Sequence, residues 1–221
     1  MSELRQQLID TARRMAASGL NKGTAGNLSV RVEEDGHPGF LITPTGMAYD
    51  ELTPADIVFV RLDGTHAGIH GNARKPSSEW RFHRDLYVAR PEADAVLHAH
   101  SPFATSLACL RREIPPFHYM IARFGGDTLR CAEYATFGTQ ALSAAALIAL
   151  QGRRACLLAN HGMLVFGRDL DQALDLGIEL ESLCEQYWRS SQMGQPVLLD
   201  ATEMAIVLEK FAGYGQQDTT R

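Results

Sequence analysis

The 221-residue chain has only four cysteines, Cys109, Cys131, Cys156 and Cys184. None forms a C-x-x-C motif and all lie at least 22 residues apart, so buried, reduced thiols are expected. Long apolar runs are also missing. The most apolar stretch, residues 141–150, is far shorter than the roughly 20 residues that cross a bilayer, so no membrane partner is expected. The opening MSELRQQLIDTARRM lacks the apolar region of a signal peptide, so a cytoplasmic location is expected. No Lys/Arg run occurs, and 21 basic against 26 acidic residues leave a net charge of −5, which argues against nucleic acid as a main partner. There is no internal repeat, low-complexity segment or Pro/Gly/Ser-rich linker, so residues 1–221 are expected to form one domain with a polar tail at 216–221. An apolar fraction of 45% excludes disorder.

Hydrophobic spacing then organises the chain. Leu4, Leu8, Ile9, Ala12, Met15 and Ala16 recur at helical intervals and predict a helix over 3–18. Alternating or apolar runs predict strands at 28–32, 39–43, 57–62 and 95–100, with shorter ones at 117–121 and 132–135. Helices are predicted at 77–90, with Ser77 or Ser78 as cap, at 101–110, within 138–152, and at 171–194 and 203–211. Residues 155–159 and 163–166 read as a hairpin around Asn160-His161-Gly162. The strands arrive in hairpin-like pairs rather than as a repeated βαβα pattern. A layered α/β fold with much antiparallel pairing therefore fits better than a doubly wound sheet.

Among eight histidines, His98 and His100 stand out. They are i and i+2 at the end of the apolar run AVLHAH, so both imidazoles leave one face of a strand and can reach one ion. A catalytic zinc needs a third protein ligand and an open position. His161, in a tight turn between two apolar strands, is the best candidate. Glu79 stands at the start of the 77–90 helix. An acid there is favoured by the helix dipole alone, so it reads either as a capping residue or as a carboxylate beside the metal. Three small-residue turns, 23–27, 43–46 and 77–78, could each offer amides and hydroxyls to an anion. The first is neither a Walker loop nor G-x-G-x-x-G, which disfavours nucleotide hydrolysis and dinucleotide binding.

The stretches GLNKGTAGNLSVR, FLITPTGM, KPSSEWRFH, AVLHAH, IPPFHYMIARFGG, YATFGT, NHG and VLEKFAGYG follow one another from residue 19 to 215. In this set and order the chain resembles the class II aldolase/adducin family, nearest its sugar-phosphate aldolases. The resemblance implies a three-layer αβα sandwich around a mostly antiparallel, mixed sheet. It implies Zn2+ held by His98, His100 and His161, with Glu79 able to approach the metal when substrate is absent and to carry a proton. Gly26, Asn27, Thr45, Gly46, Ser77 and Ser78 would cradle a substrate phosphate. Tyr119 would reach the aldehyde end of the substrate in an adjacent subunit of a homotetramer, and Tyr214 would close over the same region. The implied reaction is cleavage of a ketose 1-phosphate, such as L-fuculose 1-phosphate, to dihydroxyacetone phosphate and an aldehyde such as L-lactaldehyde. Alternatives on the same fold are cleavage of 5-deoxyribulose or methylthioribulose 1-phosphate, and sugar-phosphate epimerases, dehydratases and decarboxylases. A non-catalytic adducin-like module would be expected to lack the histidines.

Overall fold

The computed structural model describes residues 1–67 and 74–212. Its frame is a seven-stranded sheet made of β1 (Asn27–Glu34), β2 (His37–Ile42), β3 (Val58–Arg61), β4 (Ala95–Ala99), β5 (Cys131–Ala132), β6 (Ala155–Leu158) and β7 (Gly162–Gly167). The order across the sheet is β3-β2-β1-β4-β7-β6-β5. Every pairing is antiparallel except β5 with β6. The central strands β4 and β7 are buried along their whole length. Both of their faces are covered, which is why they read as continuous apolar runs rather than as alternating ones.

Helices α1 (Ser2–Ala17), α3 (Pro102–Ala108) and α5 (Leu170–Met193) cover one face. There Leu8, Ile9, Met15, Leu174 and Leu180 pack with Leu28, Leu97 and Val165 of the sheet. Helices α2 (Trp80–Ala89) and α4 (Gln140–Ala149) cover the other. Phe82, Leu86, Leu142 and Ala146 meet Phe40, Val96, Leu164 and Phe166 there. This is the expected αβα sandwich with a mostly antiparallel, mixed sheet. A last helix, α6 (Ala201–Ala212), lies against a 3₁₀ segment, Tyr119–Phe124. Among the described residues, no helix is long and apolar enough to cross a membrane.

Four expectations change. Residues 117–121 are not a strand: the His118 side chain accepts from the Met120 amide at 3.2 Å and the His118 carbonyl accepts from Ile121 at 3.1 Å, which curls the backbone into the 3₁₀ segment. Left-handed Gly125, φ 93°, then ends it. The strand expected at 132–135 is the two-residue β5. Helix α2 begins at Trp80, because residues 75–77 are held extended against 43–45, through Ser77 N to Thr43 O at 3.1 Å and Thr45 N to Lys75 O at 3.2 Å. All four cysteines are free, and Cys109 is exposed rather than buried.

Candidate active site

The site forms where β1, β4 and the β6–β7 hairpin end side by side. His98 belongs to β4 and pairs in register with Asn27 of β1 and Leu164 of β7. His100 follows two residues later, just past the strand. His161 sits in the hairpin turn, where Asn160 takes a left-handed φ of 52° and His161 N donates to Leu158 O at 3.0 Å. The three imidazole rings form a near-equilateral triangle with centroids 4.7 to 4.8 Å apart. Glu79, at the N-cap position of α2, makes no capping bond. Its carboxylate turns instead to the histidines, with Oε2 3.1 Å from His98 Nε2 and Oε1 3.1 Å from His161 Nε2. Of the two readings left open for Glu79, capping is therefore excluded.

One ligand atom from each of Glu79, His98, His100 and His161 falls within 4.8 Å of all the others. Zinc bonds of 2.0–2.1 Å in tetrahedral geometry separate ligand atoms by about 3.3 Å. The 3.0 Å between His98 Nε2 and His100 Nε2 is close to that. Protonation points the same way. His98 Nδ1 lies 2.8 Å from the Met163 carbonyl, which can only accept, so Nδ1 carries the proton and Nε2 presents a lone pair. That lone pair faces the Glu79 carboxylate. The buried Glu79 Oε1, despite its distance from His161, has no hydrogen-bond partner. Buried lone pairs facing one another call for a cation between them, and three nitrogens with one oxygen suit a borderline divalent ion such as zinc.

Burial alone would raise the Glu79 pKa, but positive charge placed among His98 and His161, as protons in the cation-free site or as a bound ion, outweighs it and holds the carboxyl well below the usual range, so it is ionised. Burial, reinforced by His98 and His161, pushes the His100 imidazole down to about 4. It is therefore neutral and able to ligate near pH 7.

The three turns meet above this cluster. Leu28 N donates to Thr43 Oγ1 at 3.3 Å, and Asn27 Nδ2 donates to Ser77 Oγ at 2.9 Å. Asn21 ties the first turn to the histidines: its Nδ2 donates to Ala25 O and its Oδ1 accepts from His100 N at 3.2 Å. Gly26 is required here, because its φ is 81° and an added Cβ would stand 2.7 Å from the His98 carbonyl. The result is a cleft of about 320 Å³ lined by Gly26, Asn27, Thr45, Gly46, Ser77 and Ser78 with Glu79, His100 and His161. The fold thus brings together all six turn residues and the metal-type cluster, with His98 directly beneath.

Two other sequence expectations fall elsewhere. Tyr119 is 51% exposed and stacks on Phe211 in a separate apolar groove with Phe117, Leu199 and Val207. Tyr214 lies outside the described residues. Sequence reasoning gave no role to Tyr134 and Phe137, which line the cleft from the loop after β5. Their only sequence signal is the stretch YATFGT.

Residues 6–188 match the family model described as class II aldolase and adducin N-terminal domain. The chain is 55% identical to a 5-methylthioribulose-1-phosphate/5-deoxyribulose-1-phosphate aldolase of Rhodospirillum rubrum, over 96% of this chain and 92% of the relative. It is 46% identical to an L-fuculose phosphate aldolase of Escherichia coli K12, over 97% and 96%. Among solved structures, an L-fuculose 1-phosphate aldolase superposes with a TM-score of 0.89 at 40% identity, covering 96% of this chain and 97% of that one. With this match in sequence and fold, the chain belongs to the class II aldolase and adducin family, as one of its metal-dependent aldolases.

Proposed function

We propose that this aldolase is a zinc enzyme that cleaves a ketose 1-phosphate between C3 and C4, giving dihydroxyacetone phosphate and an aldehyde. The observation that carries the reading is the meeting, in one cleft, of three imidazoles and a carboxylate with three turns of amides and hydroxyls. A divalent cation held by His98, His100 and His161, with Glu79 on it only while substrate is absent, would supply Lewis-acid stabilisation of the negative charge that develops on substrate oxygens.

The chain's own groups do the rest. Gly26, Asn27, Thr45, Gly46, Ser77 and Ser78 hold the phosphate through neutral donors, so a net charge of −5 is no obstacle. Anchoring the phosphate fixes C3 relative to Glu79. As an ionised carboxylate, Glu79 takes a proton from C3 in the condensation direction and returns it to C3 in cleavage. Tyr119 from a neighbouring subunit of a homotetramer manages the proton on the aldehyde oxygen, and Tyr214 closes over that end. Exposure of Tyr119 on an apolar groove, away from its own chain's cleft, supports this division. Residues 1–221 act as one domain, in the cytoplasm.

Two substrate readings follow the relatives. The Rhodospirillum rubrum relative favours 5-deoxyribulose and methylthioribulose 1-phosphates, and the Escherichia coli relative favours L-fuculose 1-phosphate. Aldehydes cut from the first pair carry no extra hydroxyl, and the cleft has apolar lining in Ala135 and Phe137 beside Tyr134. Turnover of the zinc-loaded protein on all three, with product identification, tests the proposal. Dihydroxyacetone phosphate from at least one is expected. Its absence from all three overturns the reading, since epimerase or dehydratase chemistry does not release it.

A further inference from the structure

A buried polar chain runs from behind the cleft into it. Glu79, His83 and Tyr87 are spaced four apart at the start of and along α2, and so share a face. Asn27 and Ser29, two apart on β1, share a face as well. Where the faces meet, Tyr87 Oη lies 2.7 Å from Ser29 Oγ, and Ser29 Oγ lies 2.7 Å from His83 Nδ1. His83 Nε2 lies 2.5 Å from Asn27 Oδ1. Asn27 Nδ2 then donates to Ser77 Oγ at 2.9 Å and to Glu79 Oε2 at 3.1 Å. Asn27, Ser29, His83 and Tyr87 are all at most 2% exposed.

Only one proton arrangement satisfies every partner. The Glu79 carboxylate only accepts, so the Asn27 amide must turn its NH₂ toward it. The amide oxygen then faces His83 and can only accept, so His83 carries its proton on Nε2. Its Nδ1 accepts from the Ser29 hydroxyl, which accepts from Tyr87 in turn. Burial first, and then His98, push the His83 imidazole down to about 3, so it stays neutral with a single N–H. We propose that His83 is a positioning residue. Its Nε2–H fixes the Asn27 amide so that one NH₂ group holds both the hydroxyl of a phosphate turn and the carboxylate beside the three imidazoles. The orientation of Asn27 thus locks the two halves of the cleft in one register. Without the His83 donor, a flipped amide would set its oxygen against the Glu79 carboxylate.

The activity arm of the test rests on the aldolase reading; the spectroscopic arm stands without it. In metal-free, ¹⁵N-labelled protein, long-range ¹H–¹⁵N correlation is expected to show His83 protonated at Nε2 and bare at Nδ1. The opposite tautomer, or an even mixture, overturns the proposal whether or not any ketose phosphate turns over. His83→Gln retains a donor near the Nε2 position, and His83→Leu removes it. His83→Leu is expected to lower kcat about 10- to 100-fold, with a raised KM, while His83→Gln stays within about threefold of the parent. Equal losses in the two variants, or full activity in His83→Leu, overturn it. If His83→Leu does not fold, Ser29→Ala decides. With the hydroxyl at Nδ1 gone, the Asn27 oxygen is expected to keep the proton on Nε2, and a shift of the proton to Nδ1 or an even mixture overturns the proposal.

Discussion

The cleft at the ends of β1, β4 and β7 and the groove around Tyr119 are built on opposite plans. In the cleft, the buried polar groups around the histidines are held by defined partners. Asn21 holds His100, Met163 holds His98, and Asn27 holds both Ser77 and Glu79. The groove is mainly apolar, with His118, Glu203 and Lys210 also among its lining residues. Its tyrosine is 51% exposed and its walls, Phe117, Leu199, Val207 and Phe211, come from loops and from α6. The half proposed to hold the cation and the phosphate is thus preorganised by one chain. The half assigned to the aldehyde offers its tyrosine outward, as expected for a residue that serves a neighbouring copy.

That contrast can be broken in order of expected effect. His98→Ala removes the imidazole whose tautomer is fixed by Met163. Turnover is expected to fall by more than roughly 10³-fold, beyond the loss of a single oxyanion donor, with zinc content falling in parallel. Retained zinc and activity would mean the cluster is not the centre of the chemistry. Glu79→Gln is milder, because three imidazoles remain. It should keep the cation while turnover drops roughly 10²- to 10⁴-fold, the range for a lost proton carrier. Tyr119→Phe sharpens the comparison most. Turnover should fall by about 10²-fold, while zinc affinity and melting temperature stay at parent values, because the exposed hydroxyl supports neither. A shift in zinc affinity would show that groove and cleft are not separate.

The smallest effect is on stability. The folded pKa of His83 is about 3, against about 6.5 in an unfolded chain. Between those values the unfolded state binds a proton that the folded state refuses. Stability from this group is therefore full above about pH 6.5 and is lost as pH falls toward 3. Melting temperatures of metal-free protein across this range should fall less steeply in His83→Gln than in the parent.

How much of this is legible in the sequence depends on whether the signal is local. The i, i+2 pair His98/His100 is, because strand periodicity alone puts both rings on one face. The central strands and α5 are also legible, since apolar runs and helical spacing carry them. Glu79 is ambiguous because an acid at a helix start satisfies two physical demands at once, and only the direction of its side chain separates them. Residues 117–121 mislead because an apolar run looks the same in a strand and in a 3₁₀ segment, and a side-chain hydrogen bond from His118 decides between them. Tyr134 and Phe137 belong to a loop, and what brings them to the cleft is tertiary. His83 lies between these cases. Its four-residue spacing from Glu79 and Tyr87 is plain in the sequence, but its link to Asn27 needs the strand laid beside the helix.

The central claim is that Glu79, His98, His100 and His161 form one cation site in the cleft. Anomalous diffraction at the zinc edge from zinc-loaded crystals tests it most directly. One peak per chain is predicted, about 2.0–2.1 Å from the Nε2 atoms of the three histidines. A peak elsewhere, or none at these nitrogens, would contradict the account.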